Sequence, residues 1–198
     1  MDPLDQIGER ILAYLEQKNA ARDLALQRSR TMIRHCALAI RAVHREERSL
    51  AQEHVDQAQG LGRALREDLQ PYPDLFHAGY TQDAFREYVE ACLVMALLGG
   101  DPLPDPLGLG VEYAAYLAGL GDTVGELRRR VLAQLEREAW ASIAGAYLSV
   151  DRGVVEIWGL VDSPAVREAI TVAVENVPGV RRIVNRLTSR TELPAFVA

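Results

Sequence analysis

The sequence contains no long hydrophobic run and no excess of basic charge, and it is poor in cysteine. Its longest uninterrupted apolar stretch, residues 91–98, is far shorter than the roughly 18 residues that indicate a membrane span. The formal net charge is -6 at pH 7, so any contact with nucleic acid requires a local basic surface rather than an overall charge. Two cysteines, Cys36 and Cys92, are too few for a disulfide framework, and their spacing matches no metal motif. We interpret both as reduced core residues.

The remaining composition is that of an ordinary globular chain, with 48% hydrophobic and 25% charged residues. The amino-terminal stretch "MDPLDQIGERILAYLEQ" is acidic and amphipathic, without the basic start and small-residue cleavage site of a signal peptide. We therefore expect a soluble cytoplasmic protein with no transmembrane segment. Three histidines without a partner at ligand spacing are interpreted as polar surface or core residues: His35, His54 and His77.

Helical periodicity dominates the first 140 residues. Proline is absent from residues 20–69 and glycine occurs there only at Gly60 and Gly62, so this segment predicts one very long helix or a helix with a single break at the glycines. Further helices are predicted at residues 4–18, from a Thr81 N-cap to Gly99 and Gly100, and from about Val111 toward Trp140.

The carboxyl-terminal part has a different pattern. "AYLSVDRGVVEIWGLV" places β-branched and aromatic residues around an Asp151-Arg152-Gly153 turn signal and predicts a hairpin. We interpret Trp158 in this hairpin as a core or helix-packing residue, with an exposed anchor as the alternative. "SPAVREAITVAVENV" begins with an N-cap serine and a proline and predicts a helix, and "GVRRIVNRL" alternates like a strand. The predicted fold is an all-α body (residues 1–140) joined to a small α+β module of order β-β-α-β (residues 145–192), followed by a tail (residues 193–198).

A basic stripe lies within the long helical segment. On a continuous helix its members fall within a sector of about 60°, opposite the apolar face. Arginine matches phosphate oxygens in a bidentate manner, so the stripe is a candidate nucleic-acid-binding surface. The alternative is a solvated face, partly neutralised by neighbouring glutamates. The members of the stripe are Arg30, Arg34, Arg41, Arg45 and Arg48.

Paired carboxylates are the second unusual feature. Glu87 and Glu90 are one helical turn apart in "REYVEACLVMALL", in line with the apolar run and beyond the first turn in which a helix dipole favours acids. Asp122 and Glu126 are spaced i and i+4 on the fourth helix, on the side opposite its apolar stripe, where Arg129 or Arg130 can form an ordinary ion pair with Glu126. Four carboxylates that face one another would form a hard oxygen site for Mg²⁺ or Mn²⁺.

Three segments carry a resemblance to a known family. "RSRTMIRHCALAIRAVHREE", "FHAGYTQDAFREYVEACLVMALL" and "YLAGLGDTVGELRRRVL" resemble the translin family in order and spacing, closest to its prokaryotic members and to translin-associated factor X. The resemblance implies long antiparallel helices, homo-oligomers and binding of single-stranded RNA or DNA. For the factor X branch it implies a Mg²⁺-dependent endoribonuclease with Glu87, Glu90 and Asp122 as catalytic and metal-binding residues, joined by Glu126 as a metal ligand.

The family's last helices have no counterpart in the sequence. In their place "VDRGVVEIWGLVDSPAVREAITVAVENVPGVRRIVNRL" resembles a BON domain, which implies a module that binds phospholipid or a protein partner. The predicted function is single-stranded nucleic-acid binding with Mg²⁺-dependent endoribonuclease activity, fused to this binding module. The alternatives are a non-catalytic RNA- or DNA-binding protein, and a structural protein that acts at a lipid surface through the BON-like part.

Overall fold

The computed structural model describes residues 2–137 and 146–192 of the 198. The first range is helical, and the second contains three strands, one further α-helix and a short 3₁₀ helix at Arg190–Glu192. The helices of the first range are α1 (Pro3–His44), α2 (Arg48–Asp68), α3 (Pro73–Phe76), α4 (Gly79–Gly99), α5 (Pro106–Leu109) and α6 (Tyr113–Arg137). The second range contains β1 (Ala146–Asp151), β2 (Val154–Val161), α7 (Pro164–Glu175) and β3 (Arg182–Ser189).

Helix α1 is a single helix of 42 residues, so the predicted separate helix at residues 4–18 is wrong. Its start is fixed by a capping box in which the Asp2 side chain accepts a hydrogen bond from the Leu4 amide and the Asp5 side chain accepts one from the Asp2 amide. No glycine or proline follows within the next two turns after Lys18, and nothing in the local sequence interrupts the helix.

The predicted break at Gly60 and Gly62 is also wrong, because α2 continues through both glycines. The chain turns earlier, after His44, where Glu46 adopts a left-handed backbone conformation with φ of 64°. The turn makes α1 and α2 an antiparallel pair: Arg28 of α1 donates a hydrogen bond to the Ala64 carbonyl of α2. The long antiparallel helices that the resemblance implies are thus present, but their turn is not at the glycines.

Gly62 serves close packing rather than chain reversal. A Cβ atom at this position would lie 3.2 Å from Met32 Cε and 3.2 Å from Phe85 Cε1, so a larger residue would require these two side chains to shift by a few tenths of an ångström. Met32 is completely buried at this contact. The glycine therefore permits the close approach of three helices at a cost in helix propensity of about 1 kcal/mol relative to alanine.

Helix α4 begins at Gly79, two residues before the predicted Thr81 cap. Thr81 is fully buried, and its hydroxyl donates a hydrogen bond of 2.9 Å to the Leu75 carbonyl in α3. The earlier start moves Glu87 and Glu90 further from the helix N-terminus than the sequence predicted, which weakens the dipole explanation for these acids.

The β-β-α-β module is confirmed. β1 and β2 pair antiparallel through a two-residue turn in which Arg152 and Gly153 both have positive φ, and β2 pairs parallel with β3 after the α7 crossover. Ser163 caps α7 by accepting a hydrogen bond of 3.3 Å from the Val166 amide. One face of the sheet, α7 and one residue of α6 enclose a core of Val131, Leu148, Val155, Ile157, Val161, Ile170, Ala173, Val174, Val177 and Leu187.

The chain divides into two compact units at three points, which lie inside α4, between α4 and α5, and inside α6. The first unit is Met1–Cys92 with Asp105–Gly119, and the second is Leu93–Pro104 with Leu120–Ala198. The predicted end of the fourth helix near Trp140, the boundary at residues 140–145 and the tail at residues 193–198 lie outside the described residues. None of the described helices is long and apolar enough to span a membrane.

Candidate functional site

Glu87 and Glu90 lie one turn apart in the most apolar part of α4. Glu90 is only 7% exposed, and Val89 beside it is completely buried. The side chain of Glu87 is 26% exposed and its Oε1 accepts a hydrogen bond of 3.3 Å from the Arg86 guanidinium. Removing an ionised carboxylate from water is costly, so acids at these positions are unlike the solvated acids elsewhere on the helices. The sequence correctly indicated that this pair enters the protein interior.

Two thiols and a phenol are buried beside the glutamates in the first unit. Burial, together with the nearby Cys92 and Glu87, raises the pKa of the Cys36 thiol far above its usual range. Burial raises the pKa of Cys92 to about 12, and it also raises the pKa of the Tyr88 hydroxyl, which interacts with Cys92. Both cysteines are free and buried, which confirms their interpretation as core residues. Because the thiolate is the reactive form, raised pKa values make both thiols poor nucleophiles near neutral pH.

Asp122 and Glu126 belong to α6 and to the second unit. Helical phase predicted that both face away from the core, but Glu126 is only 9% exposed and Thr123 is 1% exposed. The prediction was wrong for Glu126 because helical phase identifies one buried stripe, whereas more than one side of α6 is covered. The predicted ion pair is present: the carboxylate of Glu126 contacts the guanidinium of Arg129.

Carboxylate oxygens are the donors that Mg²⁺ and Mn²⁺ prefer, so the predicted ligand set fits the chemistry of these ions. Glu87 and Glu90 lie in the first unit, and Asp122 and Glu126 in the second. Among the residues that the structure describes, no three His, Cys, Asp or Glu side chains are grouped as a site that could hold a metal ion. A site that unites the two pairs of carboxylates therefore stays a prediction.

The arginine stripe is shorter than the sequence predicted. Because α1 ends at His44, only Arg30, Arg34 and Arg41 share one helical face, over about 16 Å of helix axis. Arg45 lies in the turn and its Nη2 is 2.7 Å from Oε2 of Glu47, and Arg48 is the first residue of α2. All five arginines are exposed. The chain reversal at the turn, which no local signal announces, removes the last two members from the common face.

A pair of histidines that was not predicted faces across α1 and α2. The Nδ1 atoms of His35 and His54 are 3.1 Å apart, and both rings are partly buried. Burial, then His54 and then Arg34 lower the pKa of His35 below its usual value. A third histidine, His77, lies 3.6 Å from a carboxylate oxygen of Glu112. The partly buried positions of His35 and His54 agree with their interpretation as polar surface or core residues. Their mutual contact was not predicted, because 19 residues of sequence separate two side chains that the helix pairing brings together.

A pocket of about 250 Å³ in the first unit was not predicted either. Arg66 lines it together with Phe85, and the guanidinium lies 5.3 Å from the centre of that ring. The same guanidinium donates a hydrogen bond to the Gly110 carbonyl. Arg66 thus ties the α5 turn to α2 and is already engaged within the pocket.

Comparison with known proteins assigns the two parts of the chain. The family model described as "BON domain" matches residues 123–191. This segment is a BON domain. The crystal structure of apo-NeC3PO, which is translin-like, matches with a TM-score of 0.55 and 18% identity over 89% of this chain and 94% of that chain. The helical body therefore has a translin-like fold, as the sequence motifs implied.

One relative is informative about length. The uncharacterized protein MJ0175 of Methanocaldococcus jannaschii is 27% identical over 136 residues. The match covers 67% of this chain but only 60% of MJ0175, so the chain corresponds to part of that relative.

The BON domain begins inside α6, earlier in the chain than the strands that resembled it in the sequence. Val131 of α6 is completely buried in the core of the BON sheet, and the Arg128 guanidinium donates a hydrogen bond of 3.3 Å to the Leu148 carbonyl of β1. The second half of α6 is thus an integral helix of the BON domain. Glu126 lies within the matched residues, and Asp122 immediately precedes them.

The outer face of the BON sheet carries an aromatic pair. Tyr147 and Trp158 are cross-strand partners, their ring centroids are 6.3 Å apart and their planes differ by 17°. Tyr147 is 64% exposed and Trp158 is 39% exposed. The interpretation of Trp158 as a packing residue was therefore wrong. Strand alternation had placed Trp158 in phase with Val154, but it could not decide which of the two sheet faces α7 covers.

Proposed function

We propose that the protein binds single-stranded nucleic acid along α1. The proposal is supported most directly by Arg30, Arg34 and Arg41, which are exposed and share one face of a rigid helix. Their spacing matches a row of phosphate groups better than a single anion, and guanidinium groups bind phosphate oxygens through paired hydrogen bonds. The translin-like motifs of the sequence favour a single-stranded target.

The test is the salt dependence of binding to a fluorescently labelled single-stranded RNA of about 20 nucleotides. Neutralising Z phosphate contacts on a single strand changes the slope of log K against log salt by about 0.7Z. Replacing Arg30, Arg34 and Arg41 with glutamine is therefore expected to reduce that slope by about 2 and to weaken binding severalfold at low salt.

A matched control changes the same net charge at three exposed arginines outside α1, Arg63, Arg152 and Arg190. We expect this triple glutamine variant to keep the wild-type slope. Equal losses in the two triple variants would contradict a binding surface on α1 and would leave only a nonspecific effect of net charge.

A second candidate function, Mg²⁺-dependent cleavage of RNA, is supported by the burial of Glu90 next to Glu87 on one helix. Bound Mg²⁺ supplies an activated water and neutralises charge on a phosphodiester. Glu87 and Glu90 would hold the ion through carboxylate oxygens, with Asp122 as a third donor. The arginines of α1 would hold the backbone of the RNA in place.

The cleavage proposal is tested with Glu87→Gln, Glu90→Gln and Asp122→Asn, which keep side-chain volume but remove the charge. Each is expected to abolish Mg²⁺-dependent cleavage of single-stranded RNA and to weaken binding of Mn²⁺ measured by electron paramagnetic resonance. Glu112→Gln on an exposed carboxylate serves as the control. If Glu87→Gln and Glu90→Gln cleave RNA at the wild-type rate, neither glutamate is catalytic. If the wild-type protein binds RNA without cleaving it, a purely binding function is favoured.

We also propose that the protein assembles into homo-oligomers through the first turns of α1. Leu4, Ile7, Ile11 and Leu15 lie on one face and are 72%, 44%, 54% and 48% exposed, respectively. Spacing of i, i+3, i+7 and i+11 is the pattern by which two helices bury apolar side chains against each other. We expect the double variant Ile7→Lys/Ile11→Lys to sediment as a smaller species than the wild type. Unchanged sedimentation would refute this interface.

A further inference from the structure

We propose that the outer face of the BON sheet is a stacking platform for the bases of single-stranded nucleic acid. The inference rests on the proposed function, because it adds a second contact surface for the same class of ligand. The observation that carries it is the pair Tyr147 and Trp158, in register on neighbouring strands with nearly parallel, exposed rings. Every nucleobase has a π-face, and single-stranded nucleic acids commonly stack their bases on aromatic side chains displayed by a sheet.

The two rings are not needed to close the domain core. That core lies on the opposite face of the sheet, where Val155 and Ile157 are buried under α7. A cross-strand aromatic pair stabilises a hairpin by only about 0.2–1 kcal/mol, whereas stacking of one base on an aromatic side chain contributes about 1–3 kcal/mol to binding. Large exposed aromatic groups on a small domain therefore indicate a binding role more than a stabilising one.

One basic side chain lies in the same row as the aromatic pair. Arg186 of β3 is the register partner of Trp158, whereas Arg182 lies two rows away on the same outer face, in the row that contains Asp151. Both guanidinium groups are exposed; Nη2 of Arg186 lies 3.8 Å from Glu156, in an ion pair weak enough for a phosphate to compete with it. A cation in the same row as the rings matches a polymer in which each base is joined to a phosphate.

A lipid surface fits this face less well. Interfacial anchoring is driven by buried apolar area, but the one strongly exposed aliphatic side chain on the outer face of the described strands is Leu160, at 41%. The geometry therefore favours stacked bases over acyl chains, and the lipid alternative becomes an outcome of the test.

The experiment uses the full chain with Trp140→Phe, so that Trp158 is the remaining tryptophan of the 2 in the sequence. Titration with unlabelled oligouridylate should quench Trp158 fluorescence, because a stacked base contacts the indole directly. Trp158→Leu and Tyr147→Ala should each raise the Kd for a labelled oligonucleotide at least about 5-fold. Trp158→Tyr keeps a π-face and should restore most of the affinity, which a loss of apolar bulk alone would not predict.

The matched control is Tyr113→Ala, which removes a tyrosine that is 76% exposed in the first unit. It should change the Kd less than twofold. Circular dichroism of each variant shows whether the fold is retained, and Trp158→Tyr remains informative if Trp158→Leu unfolds.

Three outcomes would overturn the platform. Oligonucleotide binding without quenching and without an effect of Trp158→Leu would reject it while the α1 surface stands. Binding to phosphatidylglycerol vesicles that depends on Trp158, with oligonucleotide binding unchanged, would reassign the face to lipid. Absence of any oligonucleotide binding by the wild-type chain would overturn the proposed function and the platform together.

Discussion

Gly119 lies where the start of α6 packs tightly against α4, and its replacement by alanine tests the packing that holds the helix of Glu87 and Glu90. A Cβ atom on Gly119 would lie 2.6 Å from the Arg86 carbonyl oxygen and 2.7 Å from Val89 Cβ. Real Cβ atoms essentially never make such short contacts, and neither the backbone oxygen nor the β-branched side chain can swing aside. The helices would have to separate by several tenths of an ångström.

Two effects of opposite sign determine the outcome. Alanine in a helix interior is more favourable than glycine by about 1 kcal/mol, whereas forcing a methyl group into a packed contact costs about 1–3 kcal/mol and occasionally more. The distances place this contact at the upper end, so we expect Gly119→Ala to reduce the free energy of unfolding by about 2 kcal/mol. Gly121 is the matched control in the same helix, because a Cβ there meets nothing within 4 Å. Gly121→Ala should gain up to about 1 kcal/mol.

Thermal and urea unfolding followed by far-ultraviolet circular dichroism measures both variants. A difference of about 3 kcal/mol between them corresponds to a gap in Tm of about 6–12 °C for a chain of this size. Equal stability of Gly119→Ala and Gly121→Ala, or a gain for both, would refute the close contact between α4 and α6. The same result would remove the physical basis for treating α4 as a rigid support of its two glutamates.

Two further predictions concern titratable groups. Burial, His54 and Arg34 lower the pKa of His35. Below about pH 6.5 the unfolded chain therefore binds more protons than the folded chain, and the free energy of unfolding should fall as the pH decreases. The urea midpoint should therefore be lower at pH 5.5 than at pH 7.5, and His35→Gln should reduce that difference; an unchanged difference would argue against the histidine pair. Burial raises the pKa of Cys92 to about 12 and raises that of Cys36 further, so roughly one Cys92 thiol in 10⁴ is ionised at pH 8. Native protein should therefore react with a thiol reagent at least about 100-fold more slowly than unfolded protein. Comparable rates in the two states would show that the thiols are accessible.

The BON domain could be predicted from sequence almost element by element, because its signals are local. The Arg152-Gly153 turn requires positive φ at both residues, and Ser163 with Pro164 fixes the start of α7. Its outer face could not be predicted in this way, because strand alternation separates two sets of residues without revealing which set is buried.

The burial of the candidate carboxylates was predicted correctly from motif and helical phase for α4 but not for α6. Glu90 is buried and Glu87 is half-buried, as their line with the apolar run indicated, whereas Glu126 is buried against the expectation from its helix. A helix that is covered on more than one side no longer has a single polar face, so periodicity loses its meaning there.

By itself, the sequence determined which segments are helices and which are strands, because backbone propensity, capping and turn chemistry act within a few residues. Tertiary structure alone decided where the long helical segment reverses. The turn at Glu46 has no glycine or proline, and it forms there because α2 then packs against α1 with Gly62 opposite Met32. That reversal separated Arg45 and Arg48 from the arginine stripe and brought His35 to His54. Contacts between residues that are distant in sequence depend on the summed packing of whole helices, which no local pattern encodes.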